Sequence, residues 1–270
     1  MKLLTINTHS ILEEKYEEKC IIFSEAVAKI KPDIIAMQEV NQRVNSETAS
    51  SPRVFGFRGE SAIPLKTDNH ALKISQMLEK CGEHYAFCWE GIKCGYCKFD
   101  EGIALFSRKP IQKAESYYLT DCKEYENFKT RKALAVWTDD GIFVSVHTGW
   151  YDDEDEPFSR QLTSLNKALK PYSDKEIYLM GDFNVPSHRE DGGYPEILSS
   201  GWYDTYNMAV EKDGGYTVEG KIDGWLYESE RKRIDYIFVN REIKIRSSRV
   251  IFNDNNEKRI SDHNGILVEI

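Results

Sequence analysis

The stretch Ile177-Tyr178-Leu179-Met180-Gly181-Asp182-Phe183-Asn184-Val185-Pro186 decides how this chain is read. Its four leading apolar residues have the character of a buried strand. A Gly, two polar residues separated by one aromatic, and a Pro then end the strand and open a loop. Side chains alternate along an extended segment, so Asp182 and Asn184 are expected on one side and Phe183 in the core. A carboxylate and a carboxamide would then meet at the carboxyl end of a strand, where open α/β sheets hold ligands. Turn capping by Asp and Asn explains the same two residues without any chemistry, so the rest of the chain must decide.

At the amino-terminal side, Lys2 to Asn7 reads as a strand and Glu13 to Lys29 as an amphipathic helix, with Tyr16, Cys20, Phe23, Val27 and Ile30 at helical spacing. Pro32 stops the helix, and Asp33 to Met37 is a second strand, followed by Gln38-Glu39-Val40. A β-α-β start implies a parallel pair with a crossover helix. Asn7 and Glu39 then stand side by side at two strand ends, a reasonable place for a divalent cation. Residues 41–69 lack periodicity. Arg43, Arg53, Arg58, Lys66 and His70 make the segment a candidate flap over an anionic ligand, and a solvated excursion fits equally well. His70 to Lys80 looks helical.

Short strands follow at Tyr85–Glu90, Gly102–Ser107, Ile111–Leu119, Lys132–Thr138 and Ile142–His147, suggesting an antiparallel meander with a hairpin turn at Asp139-Asp140-Gly141. Trp150-Tyr151 leads into the acidic run Asp152 to Glu156. Pro157, with Phe158, Leu162, Leu165 and Leu169, then starts a helix whose dipole accounts for much of that acidity. The functional alternative is a rim that hydrogen-bonds sugar hydroxyls beside Trp150. Beyond Pro186 come a short helix over 193–199 and a loop-like segment over 202–226 that contains Trp225. Strands at 233–239, 243–252 and 265–270 complete the chain, with Asp235 near the start of the first and Ser261-Asp262-His263-Asn264 just before the last.

At 270 residues, 40% hydrophobic and 30% charged, the chain has ample material for a core, and no composition shift marks a boundary. One α/β domain spanning 1–270 is expected. The net charge of −9 argues against broad, sequence-independent nucleic-acid binding, which needs a basic face. The polar residues after Ile6 do not suit a signal peptide and no run reaches membrane-spanning length, so a cytoplasmic enzyme is expected. Six Cys, including Cys94 and Cys97 in CxxC spacing, are then reduced and structural.

Polar residues where apolar strands run out are thus Asn7, Glu39, His147, Asp182, Asn184, Asp235, Asp262 and His263. Together they supply carboxylates for a metal, amides, and a His that an Asp can orient, the parts that metal-assisted hydrolysis of a phosphate ester needs. In Ile6-Asn7-Thr8, Gln38-Glu39-Val40, Val146-His147-Thr148, Gly181-Asp182-Phe183-Asn184, Arg233-Ile234-Asp235-Tyr236-Ile237 and Ser261-Asp262-His263, the chain resembles the endonuclease/exonuclease/phosphatase superfamily, in order and over nearly its whole length.

That resemblance implies a four-layer α/β sandwich of two packed, mixed β-sheets with helices outside. It implies dependence on Mg²⁺ or Mn²⁺ and attack of water on a phosphoester. Glu39 is then the principal metal ligand, with Asn7 close by and Asp262 in support. Asp182 positions or deprotonates the water, or protonates the leaving oxygen. Asn184 orients phosphate or water. His263, held by Asp235, meets the phosphate oxygens. His147 binds a phosphate oxygen, with Glu101 in Glu101-Gly102-Ile103-Ala104 as its orienting carboxylate. Arg131 is a further candidate phosphate contact, though a strand-edge cation is the plainer reading.

The opening Asn7-Thr8-His9-Ser10 and the Gly149-Trp150-Tyr151 acidic stretch resemble a Gram-positive subgroup that includes maltose 6′-phosphate phosphatases. The implied substrate is a small sugar phosphate of carbohydrate metabolism, held by Trp150 and Trp225. No membrane or obligate protein partner is implied. The acidic run would repel a polyanion, which places a DNA nuclease second. A catalytically silent binding protein of the same fold comes third, against the completeness of the polar set.

Overall fold

A computed structural model describes residues 1–49, 56–58, 61–222, 225–227 and 229–270. The chain runs β1 (Lys2–Asn7), α1 (Tyr16–Ile30), β2 (Ile34–Gln38), β3 (Gln42–Arg43), α2 (His70–Lys80), β4 (Ala86–Gly95), β5 (Phe99–Ser107), β6 (Lys113–Tyr118), β7 (Lys132–Thr138) and β8 (Gly141–His147). It continues through α3 (Phe158–Leu169), β9 (Ile177–Asp182), α4 (Tyr194–Ser199), β10 (Tyr203–Asp204), α5 (Thr205–Met208), β11 (Ala209–Lys212), β12 (Asp235–Val239), β13 (Ile245–Ile251) and β14 (Gly265–Glu269).

Two mixed sheets result. The first has the order β11-β13-β14-β1-β2-β5-β3, with β4 also on β5, and the second the order β10-β12-β9-β8-β7-β6. Alternation along the strands builds four layers. Leu3, Ile34, Ala36, Leu134, Phe143, Tyr178, Met180 and Val268 fill the space between the sheets. Their neighbours Leu4, Ile6, Ile35 and Met37 face outward onto Phe23 and Val27 of α1 and Leu72 and Ile74 of α2. Val144, Val146, Leu179 and Phe238 of the second sheet face Phe158, Leu162 and Leu165 of α3. This is the expected four-layer α/β sandwich, and β1–β2 is the expected parallel pair.

The meander is split. β4 and β5 join the first sheet, whereas β6, β7 and β8 join the second. β4 also runs on to Gly95, beyond the expected end at Glu90. Its apolar pattern is broken by Glu90 and Lys93, which are buried because each finds a partner: Glu90 Oε1 lies 2.6 Å from Lys132 Nζ, and Glu101 Oε1 lies 3.1 Å from Lys93 Nζ. Buried charges are tolerated when paired. The segment 202–226 is not plain loop but carries β10, α5 and β11.

The flap expectation for 41–69 also changes. Lys66 is buried against Asp100 at 2.7 Å, Arg43 pairs with Asp68, and His70 sits inside against Tyr16 and Cys20. Burial, and then the charge of Lys73, push the His70 pKa down to about 3, so it is a neutral core residue. Arg58 donates to the Phe57 carbonyl, and Arg53 lies outside the described residues. Lys66 thus fastens the segment to β5, and Arg43 pairs within it. Among the described residues no helix is long and apolar enough to cross a membrane.

Candidate functional site

Three neighbouring strands of the second sheet end at one level. In the register of β8, β9 and β12, His147 stands opposite Asp182, and Asp182 opposite Asp235. The approach is so close that a Cβ on Gly181 would lie 1.9 Å from the Val146 carbonyl oxygen, at a φ of 151°. Only glycine fits there. The strand stops at Asp182 because Asp182 Oδ1 accepts the Asn184 N–H at 2.9 Å, and Asn184 turns left-handed with φ 50°. Asp182 and Asn184 thus share a side through an Asx turn rather than through continued extension, and Phe183 is fully buried as expected.

The first sheet meets this row through Asn7. Its Nδ2 donates to Glu39 Oε1 at 2.9 Å and to Asp182 Oδ2 at 3.1 Å, while its Oδ1 accepts the His9 N–H. The carboxamide therefore bridges carboxylates of the two sheets, and its oxygen carries one hydrogen bond. Glu39 too is left-handed, with φ 51°. Non-glycine residues rarely adopt that region, and sites of ligand contact are where such strain collects.

His263 Nδ1 lies 2.9 Å from Asp235 Oδ2, and its Nε2 lies 3.8 Å from Asp182 Oδ2. Burial opposes its charge, but Asp235 and Asp182 outweigh that and hold the pKa well above the usual histidine value. His147 Nε2 is also 3.8 Å from Asp182 Oδ2. Burial, with Arg131, Lys93 and His263 nearby, keeps His147 neutral. Burial, and then the charge of Asp235, push Asp182 up to about 7. One cationic and one neutral imidazole thus flank a carboxyl group that exchanges its proton near neutrality.

A cleft of about 450 Å³ joins Glu39, Glu101, Arg131, His147, Trp150, Asp182, Asn184, Asp262 and His263. Of the expected residues, Trp225 is buried behind it, packed with Val218, Ile222 and Ile234, and its Nε1 donates to Asn184 Oδ1 at 3.2 Å. It steadies Asn184 and is not a platform for a substrate. Glu101 pairs with Lys93, and among the described residues no hydrogen bond joins it to His147. The acidic run is mostly spent internally. Asp153 and Asp155 hold Lys129 at 2.8 and 2.7 Å, and Glu156 accepts the N–H groups of Asp121 and Cys122. Asp152 and Glu154 stay exposed.

Lys93 and His9 are among the cleft residues that escape the sequence reading, with Tyr96, Glu126 and Phe128. Lys93 is a lysine in mid-strand, without a motif to flag it. His9 bonds Glu13 at 2.8 Å. Burial disfavours its charge, but Glu13, Asp262 and Glu39 overcome this and raise its pKa to about 9. Its place in Asn7-Thr8-His9 was the only available signal.

The carboxylates suit a hard divalent cation. Glu39 is half-buried among further negative charge: desolvation first, then Glu101, raises its pKa. Asp182 and Asp235 with His263, and His9 and Glu13 with Asp262, each bring ligand atoms within 4.8 Å of one another. Asp235 Oδ1 is buried without a partner. A cation would relieve this excess of buried negative charge.

Comparison with known proteins agrees with this geometry. A structure from Leptotrichia buccalis, described as an endonuclease/exonuclease/phosphatase family protein, is 33% identical, covers 100% of this chain and 99% of its own, and has a TM-score of 0.88. A mannosyl-6-phosphatase from Bacteroides thetaiotaomicron (16% identical, 100% and 98% covered, TM-score 0.67) shares the fold. So does a 3′-5′ exonuclease from Neisseria meningitidis (16% identical, 100% and 99% covered, TM-score 0.62). A local match of 138 residues at 22% identity to homocysteine S-methyltransferase 2 of Zea mays covers 48% of this chain and only 40% of that protein. Residues 21–263 match the profile of the Endonuclease/Exonuclease/phosphatase family. With a fold, a polar constellation and a profile that coincide over nearly the whole chain, the protein belongs to the endonuclease/exonuclease/phosphatase family of phosphoester hydrolases.

Proposed function

We propose that residues 1–270 act as one catalytic domain, a Mg²⁺- or Mn²⁺-dependent phosphatase of the cytoplasm that hydrolyses a small sugar phosphate of the maltose 6′-phosphate kind. The observation that carries this reading is the cleft. At about 450 Å³, with Tyr96, Phe128 and Trp150 beside the carboxylates, it has the size and the aromatic lining for a small polar ring. The mannosyl-6-phosphatase neighbour is consistent with it.

In this reading Glu39 and Asp262 hold the cation. When bound, it supplies positive charge to the phosphoryl oxygens. Asp182, with its pKa near 7, takes the proton of the attacking water, and Asn7 fixes the Oδ2 oxygen that receives it. Asn184, braced by Trp225 and by its own Nδ2 bond to the Thr148 carbonyl, orients the water or the phosphate. His263, held cationic by Asp235, faces the developing charge, and neutral His147 offers a further polar contact.

A DNA nuclease or DNA-end phosphatase is the second reading. The pairing of Asp153 and Asp155 with Lys129 favours it, because it offsets part of the repulsion toward a polyanion. The test is phosphate release by purified protein with Mg²⁺ from mono- and disaccharide phosphates and nucleotides, with abasic and plasmid DNA assayed for cleavage and Asp182→Asn as the control. Sugar-phosphate turnover lost in the variant supports the proposal. DNA cleavage lost in the variant, without sugar-phosphate turnover, replaces it with the nuclease.

A further inference from the structure

We propose that Lys93 and Arg131 form a paired cation subsite that selects a phosphate monoester dianion over a diester monoanion. The proposal rests on the phosphoester-hydrolase reading of the cleft and adds to it the residues that decide which phosphoester fits.

Both side chains line the cleft, and both are more than nine-tenths buried, at 6% and 5% exposure. They reach it by two local devices. β4 slips register against β5 between Gly91 and Lys93, a bulge that re-aims Lys93. Arg131 stands just before β7, where its N–H donates to Thr120 Oγ1. The Phe128 carbonyl gathers the two cations, accepting Lys93 Nζ at 3.0 Å and Arg131 Nη1 at 2.6 Å.

The donor count leaves the fork unfinished. Arg131 spends Nη1 on the Phe128 and Thr130 carbonyls. Its Nε is buried without any partner, and no carboxylate pairs with the guanidinium among the described residues. A buried, unpaired guanidinium edge is costly, and an oxyanion that accepts from it removes the cost. Lys93 has one carboxylate, Glu101, at 3.1 Å. Only Glu101 is in direct contact with the pair, and Glu39 and Asp182 act on Arg131 from further off, so the open guanidinium edge is free to meet a ligand oxyanion. Arg131 feels Glu39 and Asp182, and His147 feels both cations, so the unfinished fork looks onto the reacting centre and not onto a remote surface. A terminal phosphate brings a second negative charge and a third free oxygen. A diester has neither, and would place a carbon substituent where the fork expects an acceptor.

The experiment uses the full chain. Binding of methyl phosphate and dimethyl phosphate is measured by calorimetry in EDTA and in Mg²⁺, and hydrolysis of 4-nitrophenyl phosphate and bis(4-nitrophenyl) phosphate is measured in Mg²⁺. Wild type is expected to bind the monoester at least about tenfold more tightly than the diester, a comparison that needs no variant. Arg131→Met and Lys93→Met are expected to lower monoester kcat/KM by about 100-fold and diester kcat/KM at least tenfold less, with Arg131→Lys recovering part of the loss. Equal losses on both esters in folded variants, or wild type binding the diester as well as the monoester, would overturn the proposal. A sugar phosphate turned over equally well by both Met variants would remove the subsite and leave the proposed function standing. Monoester selectivity lost in the variants, with no sugar phosphate accepted, would do the reverse.

Discussion

The cleft has two unlike walls. One is made of strand ends, where β8, β9 and β12 present His147, Asp182 and Asp235 in a row and His263 closes over them. The other is made of the β4–β5 hairpin and the segment before β7, which hold Lys93, Glu101 and Arg131 in the middle of buried structure. The first wall holds a carboxyl group with a pKa near 7 between one cationic and one neutral imidazole. The second wall carries the two buried cations, Lys93 and Arg131. On the proposed reading, chemistry and recognition are carried by separate elements, and recognition can be retuned without disturbing the row that reacts.

The largest break in this comparison is Asp182→Asn. It keeps Asn7 and Asn184 close to their present places but removes the base, and should lower kcat by about 10³–10⁴-fold with KM changed little in steady-state kinetics. Glu39→Gln comes next. It keeps the bond to Asn7 and removes a half-buried charge, so activity should fall by about 10²-fold and the Mg²⁺ concentration for half-maximal rate should rise. The recognition wall is separated from the other by pH. Burial first, and Arg131 second, lower the Lys93 pKa from 10.5 to about 8, so its charge is present below that pH and lost above it. The pH profile of kcat/KM for a phosphate monoester should therefore fall roughly tenfold between pH 7 and pH 9. In Lys93→Arg that fall should vanish, because a guanidinium stays charged.

A smaller effect is expected from Trp225→Phe, which removes one hydrogen bond to Asn184 and should cost about 5-fold in kcat. The smallest belongs to Lys129→Ala. It releases Asp153 and Asp155 and should lower the urea midpoint only slightly, with turnover within about twofold of wild type. A large loss of turnover in Lys129→Ala would return the acidic run to the substrate-binding surface.

The strand-end wall was legible in the sequence and the other largely was not, for a physical reason. A polar residue that ends an apolar strand interrupts a period and stands out, as Asn7, Glu39, His147 and Asp182 do. Lys93 lies within a strand and is buried by pairing, so it reads as a flaw in the pattern and concealed the second half of β4. The same blindness joined β4 to β8 into one meander, because periodicity records which face is apolar and not which sheet supplies the partner. Arg131 was noticed without its company. Trp225 was read by residue type as a ligand platform, whereas its indole N–H had already been claimed by Asn184. Lys66 looked free because its acidic partner, Asp100, lies far along the chain.

Asn7 has a consequence for how the protein comes into being and how it fails. Its single amide ties a carboxylate of the first sheet to one of the second, and Gln38 Nε2 repeats the tie just below by donating to Ser145 Oγ at 3.0 Å. Neither sheet owns a working centre. A nascent or partly melted chain with both sheets formed but undocked is inert, so hydrolysis serves as a gauge of the last assembly step. In refolding from urea, activity should return with the near-ultraviolet signature of packed aromatics such as Phe143 on Tyr178, and later than far-ultraviolet ellipticity. Activity that returned with the helices would show that one half of the sandwich reacts unaided.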